Sequence, residues 1–138
     1  MLRIYYGPKG TGKSKRVIGE CNDRVERANG TVVYIDDDSA HSTEISHKVR
    51  FIDASEYGIN EEKLCLGFIC GIIAQDHDLE AIYLDGFAKI VPADLNKLGD
   101  FFSKLHLISE KNDIDVFMSI NGETGEWPEF LKPYIVEV

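Results

Sequence analysis

The chain has 138 residues, 43% of them apolar and 28% charged, the make-up of one compact domain with its own core and not of a disordered segment. Its formal net charge is −9, from 24 acidic and 15 basic residues, so its composition offers no basic face for a nucleic acid or an anionic membrane. The longest apolar run, Cys65–Ala74, falls well short of the ~20 residues of a membrane-spanning helix.

Short apolar runs alternate with longer amphipathic ones. Leu2–Tyr6 reads as a strand, and Lys13–Ala28 as a helix stopped at Asn29–Gly30. Thr31–Ile35 is β-branched and apolar throughout, as a strand buried on both faces should be. Residues 39–48 are polar and ambiguous, and Val49–Asp53 reads as a further strand. Glu61–Asp76 carries a broad apolar stripe at helical spacing. Glu80–Leu84 is the next strand, and a helix is expected from about Asp94, with Leu95, Leu98, Phe101, Phe102, Leu105 and Ile108 on one side. Asp115–Ile120 reads as a strand, Trp127–Leu131 as one helical turn and Tyr134–Val138 as a last strand. The order β-α-β-β-α-β-α-β-β predicts a single three-layer α/β domain over 1–138, with a mainly parallel sheet and helices on both faces.

One segment carries recognisable chemistry. Gly7-Pro8-Lys9-Gly10-Thr11-Gly12-Lys13-Ser14, followed by Lys15, has the spacing G-x-x-x-x-G-K-[ST] of a phosphate-binding loop, the Walker A motif. Glycines allow positive φ and bring backbone N–H groups close to phosphate oxygens. Lys13 supplies a charge near the β- and γ-phosphates, Ser14 is a ligand for Mg²⁺, and the helix N-terminus adds its dipole. The motif follows a strand and opens a helix, which is the context it requires. These residues point to a nucleoside triphosphate with Mg²⁺.

Three further strands end in polar residues. Ala81-Ile82-Tyr83-Leu84-Asp85 fits a Walker B strand, whose terminal acid serves the Mg²⁺ shell. Thr31–Ile35 runs into Asp36-Asp37-Asp38, three acids whose mutual repulsion stability alone does not explain. They read either as a solvated turn or as a site for Mg²⁺ or for the base that orients an attacking water. Asp115–Ile120 ends at Asn121, on the side of a parallel sheet where ligands bind and within reach of a γ-phosphate.

Together these segments resemble the RecA-like family of P-loop ATPases, over most of the chain. The resemblance implies a P-loop NTPase fold that binds ATP with Mg²⁺. It places Asp38, in Ile35-Asp36-Asp37-Asp38, at the catalytic acid, where the family carries the longer Glu. It casts Glu61-Glu62 through Asp85 as the helix leading into the Walker B strand, and Asn121 as the γ-phosphate sensor. Lys13, Asp38 and Asn121 are then the expected catalytic residues, with Ser14 and Asp85 on the metal. RecA-like domains often build their sites between subunits, so a homo-oligomer or another protein partner is also implied. The family's recombinases carry basic DNA-binding loops after the sensor strand; here Gly122–Glu126 is acidic, and DNA binding does not carry over.

Three functions fit this reading: a slow ATPase or ATP-dependent switch, a small kinase passing the γ-phosphate to a metabolite, and a non-catalytic nucleotide-binding interaction module. All five arginines lie in the first 50 residues, which leaves no late arginine-rich lid of the kind small nucleotide kinases close over their phosphates. Cys21, Cys65 and Cys70 lack metal or disulfide spacing and read as core filler. His41, His47, His77 and His106 show no ligand spacing with cysteine or with one another, and Trp127 reads as a packing anchor. The phosphate-loop motif begins at Gly7, which leaves no room for a cleavable leader, and a cytoplasmic protein is expected.

Overall fold

The β-branched and aromatic runs build one sheet. The computed structural model describes residues 1–137. Among them, β1 (Leu2–Gly7), β2 (Thr31–Asp36), β3 (Arg50–Asp53), β4 (Leu79–Leu84), β5 (Asp115–Asn121) and β6 (Ile135–Glu137) pair in the order β3-β2-β4-β5-β1-β6. Every pairing is parallel. The C-terminal end expected for the last strand, Val138, lies outside the described residues.

A parallel sheet has to be covered on both faces, and alternation along the strands supplies apolar surface to each. Tyr5, Val32, Tyr34, Ala81, Tyr83 and Phe117 pack with Val17, Ile18, Cys21 and Val25 of helix α1 (Lys13–Arg27). Ile4, Tyr6, Val33, Ile35, Ile82, Leu84, Val116 and Met118 pack on the opposite face. There they meet α2 (Glu62–Gln75), the single turn α3 (Phe87–Ile90) and α4 (Gly99–Lys111). The expected three-layer α/β arrangement is therefore present. No helix among the described residues is long and apolar enough to cross a membrane.

Local chemistry moved several boundaries. The helix expected from Asp94 is two pieces. The Asp94 carboxylate accepts the Asn96 N–H at 3.0 Å and caps a separate 3-10 turn, Leu95–Lys97, before α4 starts at Gly99. A 3-10 turn places residues three apart on one side, which meets the Leu95/Leu98 spacing without a continuous α-helix. The helix then runs past Ile108 to Lys111 and stops where Asp113 turns to φ 52°. The turn expected at Trp127–Leu131 is a 3-10 segment, Glu129–Tyr134, containing Pro133. The undecided stretch 39–48 holds another 3-10 turn, Ser42–Glu44, anchored below by buried Ile45 and Val49. The short helix α3 escaped the sequence reading because one turn shows no periodicity. At the end of α1, Gly30 is required by space: a Cβ there would lie 1.9 Å from the Asp78 carbonyl oxygen.

Candidate functional site

The strand order decides what meets at the C-terminal edge of the sheet. β5 lies between β1 and β4, with Gly7 in register with Asn121 and Leu84 with Met118. On the other side of β4, the Asp85 N–H bonds the Ile35 carbonyl at 2.8 Å, which brings the acids after β2 alongside Asp85. A cavity of about 380 Å³ opens over this edge.

The glycine-rich loop forms one wall. Gly10 and Gly12 take φ of 85° and 81°, with open space around both, so the backbone conformation and not crowding calls for glycine. Gly12 stands at the start of α1; no side chain among the described residues caps that end, and no acid occupies its first turn. The helix therefore presents first-turn N–H groups and its positive dipole end to the cavity. Lys13 is only 5% exposed. Its Nζ donates to the Pro8 carbonyl at 2.7 Å and to Thr11 Oγ1 at 3.4 Å, which folds the side chain back over the loop. Burial lowers the Lys13 ammonium from its ordinary value, against the opposing pull of Asp85.

Asp85 is the hub of the floor and is 2% exposed. Ser14 Oγ donates to its Oδ1 at 3.1 Å, the Ser119 hydroxyl donates to the same oxygen, and the Tyr34 hydroxyl donates to Oδ2 at 2.8 Å. Ser119 is in turn oriented by accepting the Gly86 N–H at 2.9 Å. Beside this hub sits Asp36, 1% exposed. Its Oδ1 accepts the Asp37 N–H at 2.8 Å, while Oδ2 is buried with no partner among the described residues. Burial above all, with the neighbouring Asp37 and Asp85, pushes the Asp36 carboxyl up to about 8. One ligand atom from each of Asp36, His41 and Asp85 lies within 4.8 Å of the others. His41 Nδ1 is 2.7 Å from Glu44 Oε2, and this contact raises the imidazole above its ordinary value.

The structure thus gathers Lys9, Gly10, Gly12, Lys13, Ser14 and Lys15 with Asp38, Asp85 and Asn121 around one cavity. Gly7, Pro8 and Thr11 shape the loop from behind, Gly7 by ending β1 and Pro8 through its carbonyl. Asp38 stands at the rim, exposed, with Oδ1 accepting the Ala40 N–H at 2.9 Å. Asn121 is likewise exposed at the end of β5. Sequence reasoning named Asp36 only as one of three adjacent acids, with Asp38 as the catalytic one, and did not point to Tyr34, His41 or Ser119. For three of them a signal existed: Tyr34 and Asp36, Tyr83 and Asp85, and Phe117 and Ser119 are spaced by two, so each polar group follows a buried aromatic on the α1 side of the sheet. His41 gave none, because its neighbours are carboxylates from other segments and not cysteine or histidine at a fixed interval. Trp127 packs edge-on against Tyr6 with ring centres 5.6 Å apart, and Cys21 and Cys65 are free and buried.

No protein-family model matches the chain, and no curated protein matches it.

Proposed function

We propose that the chain binds a nucleoside triphosphate, ATP with Mg²⁺, on a RecA-like P-loop core, and acts as an ATP-dependent switch or slow ATPase. The observation that carries this reading is the hydrogen bond from Ser14 to Asp85, which joins the end of the glycine-rich loop to the end of β4 on the floor of the cavity. The residues present fit the ligand. Uncapped N–H groups at the start of α1 suit phosphate oxygens, and the unpartnered Asp36 Oδ2 beside Ser14 and Asp85 suits a cation.

In this reading the loop amides and Lys13 hold the phosphates, with Lys13 leaving the Pro8 carbonyl to reach them. Ser14 and Asp85 would hold the metal. Bound Mg²⁺ would neutralise charge on the β- and γ-phosphate oxygens. Asn121 reaches the terminal phosphate from the adjacent strand, and Asp38 orients the attacking water. The cations around the cavity are lysines, Lys9, Lys13, Lys15 and Lys89, with no arginine among the described lining residues. Without a guanidinium to stabilise the charge that builds during transfer, turnover in the isolated chain is slow. The net charge of −9 argues against nucleic acid as a partner.

Titration with a labelled ATP analogue in the presence of Mg²⁺ tests the proposal. Lys13→Ala is expected to weaken binding by roughly 1.5–3 kcal/mol, the worth of a charge-assisted contact. Equal affinity in parent and variant would refute it.

A further inference from the structure

We propose that Asp36, His41 and Asp85 form a direct divalent-metal site that fills without nucleotide and selects an ion with affinity for imidazole, Zn²⁺ or Co²⁺, over Mg²⁺. The inference goes beyond the nucleotide reading: it shares Asp36 and Asp85 with that cavity floor and adds His41 and the carboxylate of Glu44 behind it.

Three observations support the site. The potential ligand atoms come from three places that only the fold brings together: the end of β2, the β2–β3 connection and the end of β4. They already lie within 4.8 Å of one another, a span that small side-chain movements close onto metal–ligand bonds of ~2.1 Å. The second observation is Asp36 Oδ2, which lines the cavity and is buried with no donor facing it among the described residues. A buried acceptor without a partner is destabilising, and a cation satisfies it. The third is Glu44. Its carboxylate lies 2.7 Å from His41 Nδ1, where His41 heads the turn Ser42–Glu44; with a proton held on Nδ1 by that contact, Nε2 is the nitrogen that would bind a metal. A carboxylate behind the histidine is the usual support for a metal-bound imidazole, and it fixes both tautomer and ring orientation.

The donor set decides the ion. Mg²⁺ takes oxygen ligands and keeps much of its water, so it gains little from an imidazole. One imidazole and two carboxylates suit a borderline first-row ion in a site with open positions. Tyr34, Ser14 and Ser119 already hold the Asp85 carboxylate in place, which supplies the rigid outer support such a site needs.

Co²⁺ is the probe, added to the full chain stripped of metal and free of nucleotide. Stoichiometric binding is expected, with a hyperfine-shifted, exchangeable imidazole N–H proton in the NMR spectrum from His41 Nδ1. Millimolar Mg²⁺ should not displace it. His41→Ala should lose that signal and weaken binding at least tenfold, and Glu44→Gln should weaken it by about 10–100-fold while the fold stays intact. Lys13→Ala removes the phosphate-facing ammonium and none of the three proposed ligands; taking a cation away from Asp85 should leave Co²⁺ binding as tight or tighter, so failure of the nucleotide reading and failure of this one are separable. Co²⁺ affinity unchanged in His41→Ala, absence of the shifted N–H signal, or ready displacement by Mg²⁺ would each overturn the proposal.

Discussion

Tyr34 Oη donates a hydrogen bond to Asp85 Oδ2 at 2.8 Å, and both side chains are shut away from solvent. The tyrosine sits on β2 and the acid follows β4, its neighbour in the sheet, so the bond ties the floor of the cavity to the core beneath α1. Burial and the facing Asp85 both push the Tyr34 phenol far above its ordinary value, which keeps it a donor at every working pH.

Tyr34→Phe removes that donor and leaves a buried carboxylate oxygen unpaired. The expected cost is about 1–3 kcal/mol of unfolding free energy, read from urea denaturation at neutral pH. The fold should survive, because the ring keeps its stacking on Phe51, 6.0 Å away between centres. An unchanged denaturation midpoint would mean the hydroxyl does not hold Asp85 in the folded protein.

Asp36 makes stability depend on pH in the direction opposite to an ordinary surface carboxylate. Its folded-state value, about 8, lies above the 3.8 of the free side chain, so folding favours the protonated form. That contribution is complete below about pH 4 and is lost as the pH rises towards about 8. Asp36→Asn mimics the protonated acid and keeps an acceptor for the Asp37 N–H. In EDTA, its stability relative to the parent should therefore grow with pH across this window, by of order 1 kcal/mol per pH unit or less. Parallel stability profiles for variant and parent would show that Asp36 ionises freely where it stands.

Hydrolysis should separate the roles of Asp38 and Asp85, two of the acids that line the cavity. Asp38→Asn is expected to leave binding of the ATP analogue intact while phosphate release falls by ~10²-fold, since a misplaced water carries a penalty of that size. Asp85→Asn removes a carboxylate from the proposed metal position and is expected to lower the Mg²⁺-dependent part of binding about tenfold or more. Phosphate release over a range of protein concentrations also reports whether sites are completed between subunits. Fast turnover by dilute parent protein, unchanged in Asp38→Asn, would take Asp38 out of the mechanism.

Much of the fold was legible along the chain, and the reason is that it is local. The run Thr31–Ile35 is apolar on both faces because β2 is an interior strand of a parallel sheet, and Gly10 and Gly12 declare their loop because its backbone takes positive φ at both. Where local chemistry competed with periodicity, periodicity misled. Asp94 capped its own turn and split the helix expected there, although Leu95 and Leu98 continued the apolar pattern.

The sequence by itself determined the layers, the glycine-rich loop and the polar strand ends. Tertiary structure alone decided which of those ends meet. Placing β5 between β1 and β4, and β2 beside β4, sets Ser14, Ser119, Tyr34 and Asp36 around Asp85, and distinguishes buried Asp36 from exposed Asp38 two residues later. Hydropathy could not make that distinction, because three adjacent aspartates have the same composition. Strand neighbours in a parallel sheet are joined by long crossovers, so their pairing is chosen by the packing of the whole domain, and no interval along the chain records it.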